Sequence, residues 1–340
     1  MMDYPKVSIL IPTLNAEGVL EKCLKSIEMQ NYPKKNIEIV IADGGSTDKT
    51  LEIAKKYGAR VVKNKLKTGE SGKKIALANA SGKLCALVDS DNILPTKKWL
   101  KEMIVPLTEN PKALGSEPWK YTWRKKDGFI TRYCALIGMN DPLVHFLGNY
   151  DRMNLLTGKW TEIPHEEEDK GDYLVIKFGK GGIPTIGANG TVFRTGFLKE
   201  SVSGNYLFDI DILYDYLKKH GNVTFIKVKN GIVHTYCERS VKKFAKKQRR
   251  RVKDFLFHKS LGDRKYDWGS SNTVGIVRFV LSCVLVFPLF LQVFKGYSKK
   301  KDSAWFFHPL ACWITLWEYG WGTIFSLFKK SEVSREGWGQ

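Results

Sequence analysis

The sequence predicts an α/β fold: a mostly parallel, doubly wound sheet followed by an amphipathic helix and apolar C-terminal helices. Three observations carry this. Four strand-like runs alternate with helical patterns within the first hundred residues, the order that yields parallel strands with helices on both faces. Two of those runs end abruptly in carboxylates, at Asp43 and at Asp89 and Asp91. From about residue 240 the composition turns strongly basic, and then apolar and aromatic.

Val7–Pro12, VSILIP, reads as a first buried strand, and Glu17–Gln30 as a helix with Val19, Leu20, Leu24 and Ile27 on one face. Ile37–Ala42 is a second strand closing on Asp43-Gly44-Gly45, with Ser46 or Thr47 placed to cap a helix through Tyr57. Arg60–Lys63 is a short third strand. The Gly-interrupted segment KTGESGKK leads to a helix over Ile75–Ala80, and Ser81-Gly82 turns the chain into a fourth strand, Leu84–Val88. In such sheets ligands lie beyond the carboxyl ends of the strands, where Thr13–Glu17, Asp43, Asp89 and Asp91 all fall. Residues 106–182 read as irregular, and the HEEED run at 165–169 as a solvated loop, because burying four acids would be costly. Order returns at Ile183–Arg194, where two glycines bracket Asn189. A helix over Asn205–His220 carries Asp209 and Asp211, and two strands follow, Val223–Val228 and Gly231–Val233, the second ending at His234.

The 340 residues suffice for a large core, and a net charge of +20 calls for an anionic partner: nucleic acid, acidic lipid or a phosphorylated substrate. The six cysteines are scattered without a C-x-x-C pair. That argues against a disulfide framework or a zinc site and for a reducing, cytoplasmic setting. Only MMDYPK precedes the first strand, too little for a signal peptide, so membrane targeting is expected from elsewhere.

Asp89-Ser90-Asp91 ends its apolar run as a candidate cation site. On an extended chain the two carboxylates point the same way, and hard oxygen ligands suit Mg²⁺ or Mn²⁺. The alternative is a loop or helix cap, which Asp also favours.

The tail supplies a second theme. Ser240–Lys265 holds eleven Lys/Arg against two Asp, with Val241, Phe244, Ala245, Val252, Phe255 and Leu256 on one helical face. A basic face with an apolar stripe suits a membrane interface or a nucleic acid. Val274–Phe294 decides for the membrane: its twenty-one residues carry only Arg278 as a charge, enough to span the hydrocarbon at about 1.5 Å per residue. A second apolar stretch, Ala304–Phe328, is rich in Trp and carries Glu318. The lysines between the two stretches would face outside if both crossed, against the positive-inside tendency, unless one stretch is re-entrant or interfacial, which Pro288 and Pro309 allow; the number of crossings stays open. The organisation expected is a catalytic domain over 1–239, an interface helix over 240–265 and a membrane region of one or two helices over 274–330, with the catalytic part on the cytoplasmic side of the cell membrane.

Together SILIPTLNAEG, IADGGSTDKT, ALVDSDN, GANGTVFR, FDIDILYDYLKKHG and the HTYCERSVKKFAKKQRRR run resemble the family 2 inverting glycosyltransferases of GT-A (Rossmann-like) fold, in particular the membrane-anchored ones that share motifs with cellulose synthase. The resemblance covers about Val7 to Arg251. It implies that Pro12, Thr13, Asn15 and Glu17 border the donor nucleotide, that Asp43 hydrogen-bonds its base, and that Asp89 touches the ribose or a Mg²⁺ or Mn²⁺ ion held by Asp91. Asp209 takes the place of the general base, with Phe208 where the family pattern has Glu. His234 could complete the metal shell. Gln248 and Arg251 match a Q-x-x-R-W motif at the diphosphate, with Val252 in place of Trp, and Asn189 would lie near the donor sugar or the acceptor. The implied reaction moves a hexose, first mannose from GDP-mannose and next a UDP-hexose, to a lipid-linked saccharide at the membrane; polyprenyl or dolichyl phosphate is the alternative acceptor. An acid at 209 favours a hydroxyl acceptor, because a phosphate needs no base.

Two rivals fare worse. A sugar-nucleotide-forming nucleotidyltransferase would want a Gly-rich basic loop after the first strand, where this chain has PTLNAEG. A membrane-tethered nucleic-acid binder would leave Asp43, Asp89, Asp91 and Asp209 without a role and set acids where phosphates must approach.

Overall fold

A computed structural model describes residues 4–266 and 272–328. The chain forms two compact units: one of residues 4–119 and 164–234, the other of 120–163 and the described residues from 235 to 328. The segment 120–163, expected inside the catalytic domain, therefore folds with the C-terminal helices.

The first unit is built on a ten-stranded sheet. Its opening strands are β1 (Val7–Thr13), β2 (Ile37–Asp43), β3 (Arg60–Lys63) and β4 (Leu84–Leu87), which lie in the order β3-β2-β1-β4 and run parallel. Val7, Ile9, Leu10 and Ile11 of β1 are wholly buried, as a strand covered on both faces requires. The register pairs Thr13 with Asp43 and Leu10 with Leu87, so β1, β2 and β4 deliver their last residues to the same end of the sheet. A two-residue strand, β5 (Asn92–Ile93), follows, and β6 (Gly115–Tyr121) comes after it.

The expected loop at HEEED is an edge strand, β7 (His165–Asp169), paired with β8 (Tyr173–Phe178). Its acids remain exposed, as expected of a solvated run, and charges on an edge strand discourage pairing with another chain. The strand β9 (Thr191–Arg194) runs antiparallel to β4, with Thr191 opposite Leu87. The two strands expected over 223–233 are one, β10 (Val223–His234).

Helices α1 (Glu17–Glu28) and α2 (Thr50–Lys56) follow β1 and β2. The next, α3 (Gly69–Ala78), begins six residues before the helix expected there. Thr68 caps it by accepting a hydrogen bond from the Ser71 amide at 3.1 Å, and Gly72 lets it lie on β1, since a Cβ there would come within 2.8 Å of Pro12 Cβ. Further along come α4 (Trp99–Glu109), α5 (Phe129–Ile137), α6 (Pro142–Leu147), α7 (Thr195–Ser201) and α8 (Asp209–His220). Asp209 is thus the first residue of α8, not one inside a helix begun at Asn205.

The second unit packs α5 and α6 with α9 (Val241–Ser260), α10 (Thr273–Leu285), α11 (Phe287–Lys299) and α12 (His308–Phe328). Its core includes Tyr133, Phe244, Trp305 and Phe307, and Tyr133 Oη lies 2.7 Å from His308 Nδ1. The expected interface helix, α9, has its apolar stripe covered by protein: Phe244 and Val252 are buried, and Gly322 of α12 approaches so closely that a Cβ would meet Val252 Cγ1 at 2.5 Å. The stretch expected to span a bilayer, Val274–Phe294, breaks at Val286 into α10 and α11, bent by 96°. Among the described residues no single helix is long and apolar enough to cross a membrane.

Gly190 has the left-handed φ of +81°, and a Cβ there would meet Ile232 Cδ1 at 2.5 Å and Trp99 Cζ2 at 3.0 Å. Gly190→Ala is expected to cost on the order of 1–3 kcal/mol, read from the urea unfolding midpoint, and to displace the neighbouring Asn189.

Candidate active site

The site in the first unit begins with β1 and β2. Asp43, the last residue of β2, is buried, and its carboxylate organises the surrounding loop. Oδ1 accepts from the Thr13 hydroxyl at 2.9 Å and from the Ser46 hydroxyl, while Oδ2 accepts from the Gly45 and Ser46 amides at 2.8 Å each. A carboxylate offers about four acceptor positions, and all four are used locally. A base contact at Asp43 would exchange one of these bonds. The facing segment is tied to the same loop: Asn15 has a left-handed φ of 49°, its Oδ1 accepts from the Thr47 amide at 2.9 Å, and Glu17 Oε2 accepts from the Lys49 amide at 3.0 Å. Pro12 lies against Gly72. Thr13, Asn15, Glu17 and Asp43 therefore belong to one hydrogen-bonded rim, with Pro12 packed against α3 at Gly72.

Beyond β4 the chain turns at Asp89. The Asp89 amide donates to Asn92 Oδ1 at 3.0 Å, and the Asn92 amide returns a bond to the Asp89 carbonyl at 2.9 Å. The fully buried Asn92 then donates from Nδ2 to Asn189 Oδ1 at 2.9 Å. Because β5 pairs with β10, Asn92 lies opposite His234, and His234 Nε2 comes to 3.3 Å from Asp91 Oδ1. Three stretches of the chain are thereby gathered, with Asp89, Asp91, Asn92, Asn189 and His234, and a sixth residue, Asp209 at the start of α8, is near enough for its charge to act on Asp89.

The seventh is Lys73, which sequence reasoning missed. It is buried on α3, and its Nζ lies 3.3 Å from Asp209 Oδ2. Burial pulls its ammonium down, but Asp209, Glu70 and Asp89 outweigh that and hold it above the usual lysine range. The available signal was Thr68-Gly-Glu-Ser71, a polar cap before an apolar run; reading it would have started the helix early enough to include Lys73. Burial also pushes the Asp89 carboxyl above the usual carboxylate range, opposed by Lys73 and assisted by the negative charge of Asp91.

This excess of acids over cations fits a divalent metal. Among the described residues no three His, Cys, Asp or Glu side chains form a ready-made cage. Asp91 and His234 offer two donors, with Asp89 nearby, and Mg²⁺ is commonly held by one or two carboxylates together with substrate phosphates. The residues thus fit an ion completed by a ligand.

Gln248 and Arg251 lie in the second unit. Gln248 is fully buried; its Nε2 donates to the Asn140 carbonyl at 2.8 Å, and its Oε1 accepts from Arg251 at 2.6 Å. Arg251 also faces Asp141, at 3.6 Å. Gln248 therefore ties Arg251 to the Asn140 carbonyl.

The raised Asp89 carboxyl has a defined sign in stability. A carboxyl with a higher pKa folded than unfolded favours folding below the unfolded value and loses that contribution as pH rises through the folded one. Above the unfolded value Asp89 therefore works against the fold. Asp89→Asn is expected to raise the Tm of the metal-free protein by a few degrees at neutral pH, less at pH 4, while removing any Mn²⁺-dependent shift; calorimetry at the two pH values reads it.

Comparison with known proteins places the first part of the chain. Residues 8–154 match the family model "Glycosyl transferase family 2". TarS of Staphylococcus aureus, a poly(ribitol-phosphate) beta-N-acetylglucosaminyltransferase, is 34% identical over 111 residues, 31% of this chain and 19% of that protein. The glycosyltransferase AglE of Haloferax volcanii is 29% identical over 141 residues, 40% of this chain and 46% of that one. This chain spans less than half the length of these relatives. A mannosyltransferase of Pyrobaculum calidifontis solved with GDP-Man and Mn²⁺ overlaps with TM-score 0.49 at 14% identity, covering 93% of this chain and 87% of that one; no residue role is carried over from an overlap this shallow. The likeness to family 2 glycosyltransferases is confined to residues 8–154, less than half of the chain.

Proposed function

We propose that the protein is an inverting glycosyltransferase that moves a hexose from a nucleotide sugar to a saccharide carried on a lipid, at the cytoplasmic face of the cell membrane. The observation that supports this most is the gathering of Asp89, Asp91, His234, Lys73 and Asp209 in the unit that holds most of the family 2 domain. Mannose from GDP-mannose is the first donor to test and a UDP-hexose the second; a polyprenyl or dolichyl phosphate is the second acceptor. Among the curated relatives, a Methanococcus voltae enzyme whose name specifies a dolichyl N-acetyl-glucosaminyl phosphate is 36% identical over 122 residues, 32% of this chain and 37% of that protein, which favours a lipid-borne acceptor.

Asp209 is the base of this reading. A sugar hydroxyl must lose its proton as it attacks the anomeric carbon, and a carboxylate within hydrogen-bond reach accepts it. Lys73 fixes Oδ2 of Asp209 at 3.3 Å, leaving the other oxygen to meet the acceptor. Gly187 lies beside this carboxylate, a Cβ there falling 3.8 Å from Oδ2, so the wall next to the base stays open. Asn189, held by Asn92, sits on the loop that glycines let approach the donor sugar closely. Asp91 and His234, with Asp89, would hold the Mg²⁺ or Mn²⁺ ion. That ion supplies neutralisation of the charge that builds on the departing nucleoside diphosphate.

Asp209→Asn is expected to lower transfer to a hydroxyl acceptor at least ~10²-fold while leaving Mn²⁺-dependent binding of the nucleoside diphosphate, read as a thermal shift, within twofold. Transfer near wild type would remove Asp209 from the base role. No thermal shift with GDP, UDP or any other nucleoside diphosphate would overturn the donor site itself.

A further inference from the structure

The second unit has an apolar core, yet it also carries many large apolar side chains on its surface. Among the described residues, all the exposed large hydrophobics except Met29, Leu51, Val61, Leu66 and Leu261 fall between Val274 and Phe325. They concentrate at two places. Leu285 and Phe287, 64% and 67% exposed, flank the corner where α10 turns by 96° into α11. On α12, Trp313, Trp317, Trp321 and Phe325 recur every fourth residue on one exposed face, and Trp317 stands 5.6 Å from Trp321. The opposite face of α12 buries Thr315 and Glu318. Exposed apolar patches of this extent mark an interaction surface.

We propose that this face docks the protein onto one leaflet of an anionic bilayer without crossing it. The proposal deepens the membrane reading above and stands on evidence independent of any sugar transfer. Neither helix of the bent pair reaches a span by itself, and the 96° turn between them keeps the two from lying end to end. Each of α10 and α11 has thirteen residues, whereas a span needs about twenty. The corner residue, Val286, is β-branched yet holds a left-handed φ of 60°, and this conformation projects Leu285 and Phe287 outward together. Helix α12 has the length of a span but is not apolar enough for one, and it is fastened. Arg249 Nε and Nη2 donate to Glu318 at 2.7 and 2.8 Å, and the Tyr319 hydroxyl donates to Asp141. Entering the bilayer as an isolated span would break those bonds and carry Glu318 into hydrocarbon.

Charge selects the occupant. The two acids within the described residues 272–328 are Asp302 and Glu318; both are buried and each is paired with an arginine, Arg132 and Arg249. The exposed charges of this segment are therefore cationic, including Arg278, Lys295, Lys299 and Lys301. Basic residues beside an apolar face complement acidic headgroups, whereas a second copy apposed through the same face would bring like charges together. Tryptophan at the headgroup level is the expected position for such a side chain.

The test uses the full-length protein and preformed vesicles, read by flotation. With phosphatidylglycerol in the vesicles the protein should float, less so on pure phosphatidylcholine or at high salt. The double variant Phe287→Asp/Trp317→Asp, altered only at exposed positions and checked for native circular dichroism, should reduce the bound fraction ~tenfold or more. Sidedness is read with Ser303→Cys, which adds an exposed thiol to a chain whose six native cysteines are all buried. A membrane-impermeant maleimide added outside intact vesicles should label it. Labelling only after detergent would mean a crossing and overturn the proposal. So would unchanged flotation of the double variant, or absence of flotation together with a dimer in solution that the same substitutions dissociate. Sugar transfer enters none of these readings, so failure of the proposed activity would leave this result intact.

Discussion

Parallel pairing of β1 with both β2 and β4 is the constraint on which the site depends. Parallel strands run in one direction, so every chain segment leaving them emerges at the same end of the sheet. Here that geometry sets Thr13 level with Asp43 and carries the chain past Leu87 to Asp89. The antiparallel β9, with Thr191 opposite Leu87, then brings Asn189 alongside. The long β10 ends at His234 opposite Asn92. The register fixes the ends of β2, β4 and β10; Asp89 and Asp91 follow in the turn after β4, and Asp209 enters from the start of α8.

What the register gathers, electrostatics resists. Asp89, Asp91 and Asp209 share a region in which Lys73 is a buried cation. Desolvation of Asp89 opposes its ionisation, and Asp91 adds repulsion. Such a cluster is poor for stability and suited to binding, because a cation brought by the ligand relieves both terms at once. Asp43 belongs to the other side of this balance. Its four accepted hydrogen bonds stabilise the loop after β2, so its effect on a donor would come first through the shape of that rim.

The second unit solves a different problem with the same physics. Its interior contains Glu318, Asp302, Gln248 and His308, each with a partner, while Trp317 and Phe287 lie outside. In water this exposes apolar area that folding ordinarily removes. On the proposed bilayer the arrangement would become favourable, and the buried ion pairs Arg132–Asp302 and Arg249–Glu318 tie the helices together.

Much of the first unit could be read from sequence, because continuous apolar runs and strand-end acids depend only on local order. VSILIPT, IEIVIAD and LCAL became the expected parallel strands, and Asp43, Asp89, Asp91 and His234 lie at strand ends or just beyond. Lys73 could not be read, since nothing within KTGESGKK says which lysine faces inward; its meaning comes from Asp209, one hundred and thirty-six residues away. The edge strand HEEED was hidden for a similar reason: an edge needs only a partner, here β8, and not an apolar face of its own. In the tail, hydropathy reported the total of apolar residues but not which of them the protein itself would cover. The sequence by itself determined the parallel core, its acidic edge and an apolar C-terminal segment. Only the tertiary structure decided that α9 is covered by α12, that the expected span breaks at Val286, and that Lys73 meets Asp209, because burial and ion pairing are properties of segments brought together and not of any segment alone.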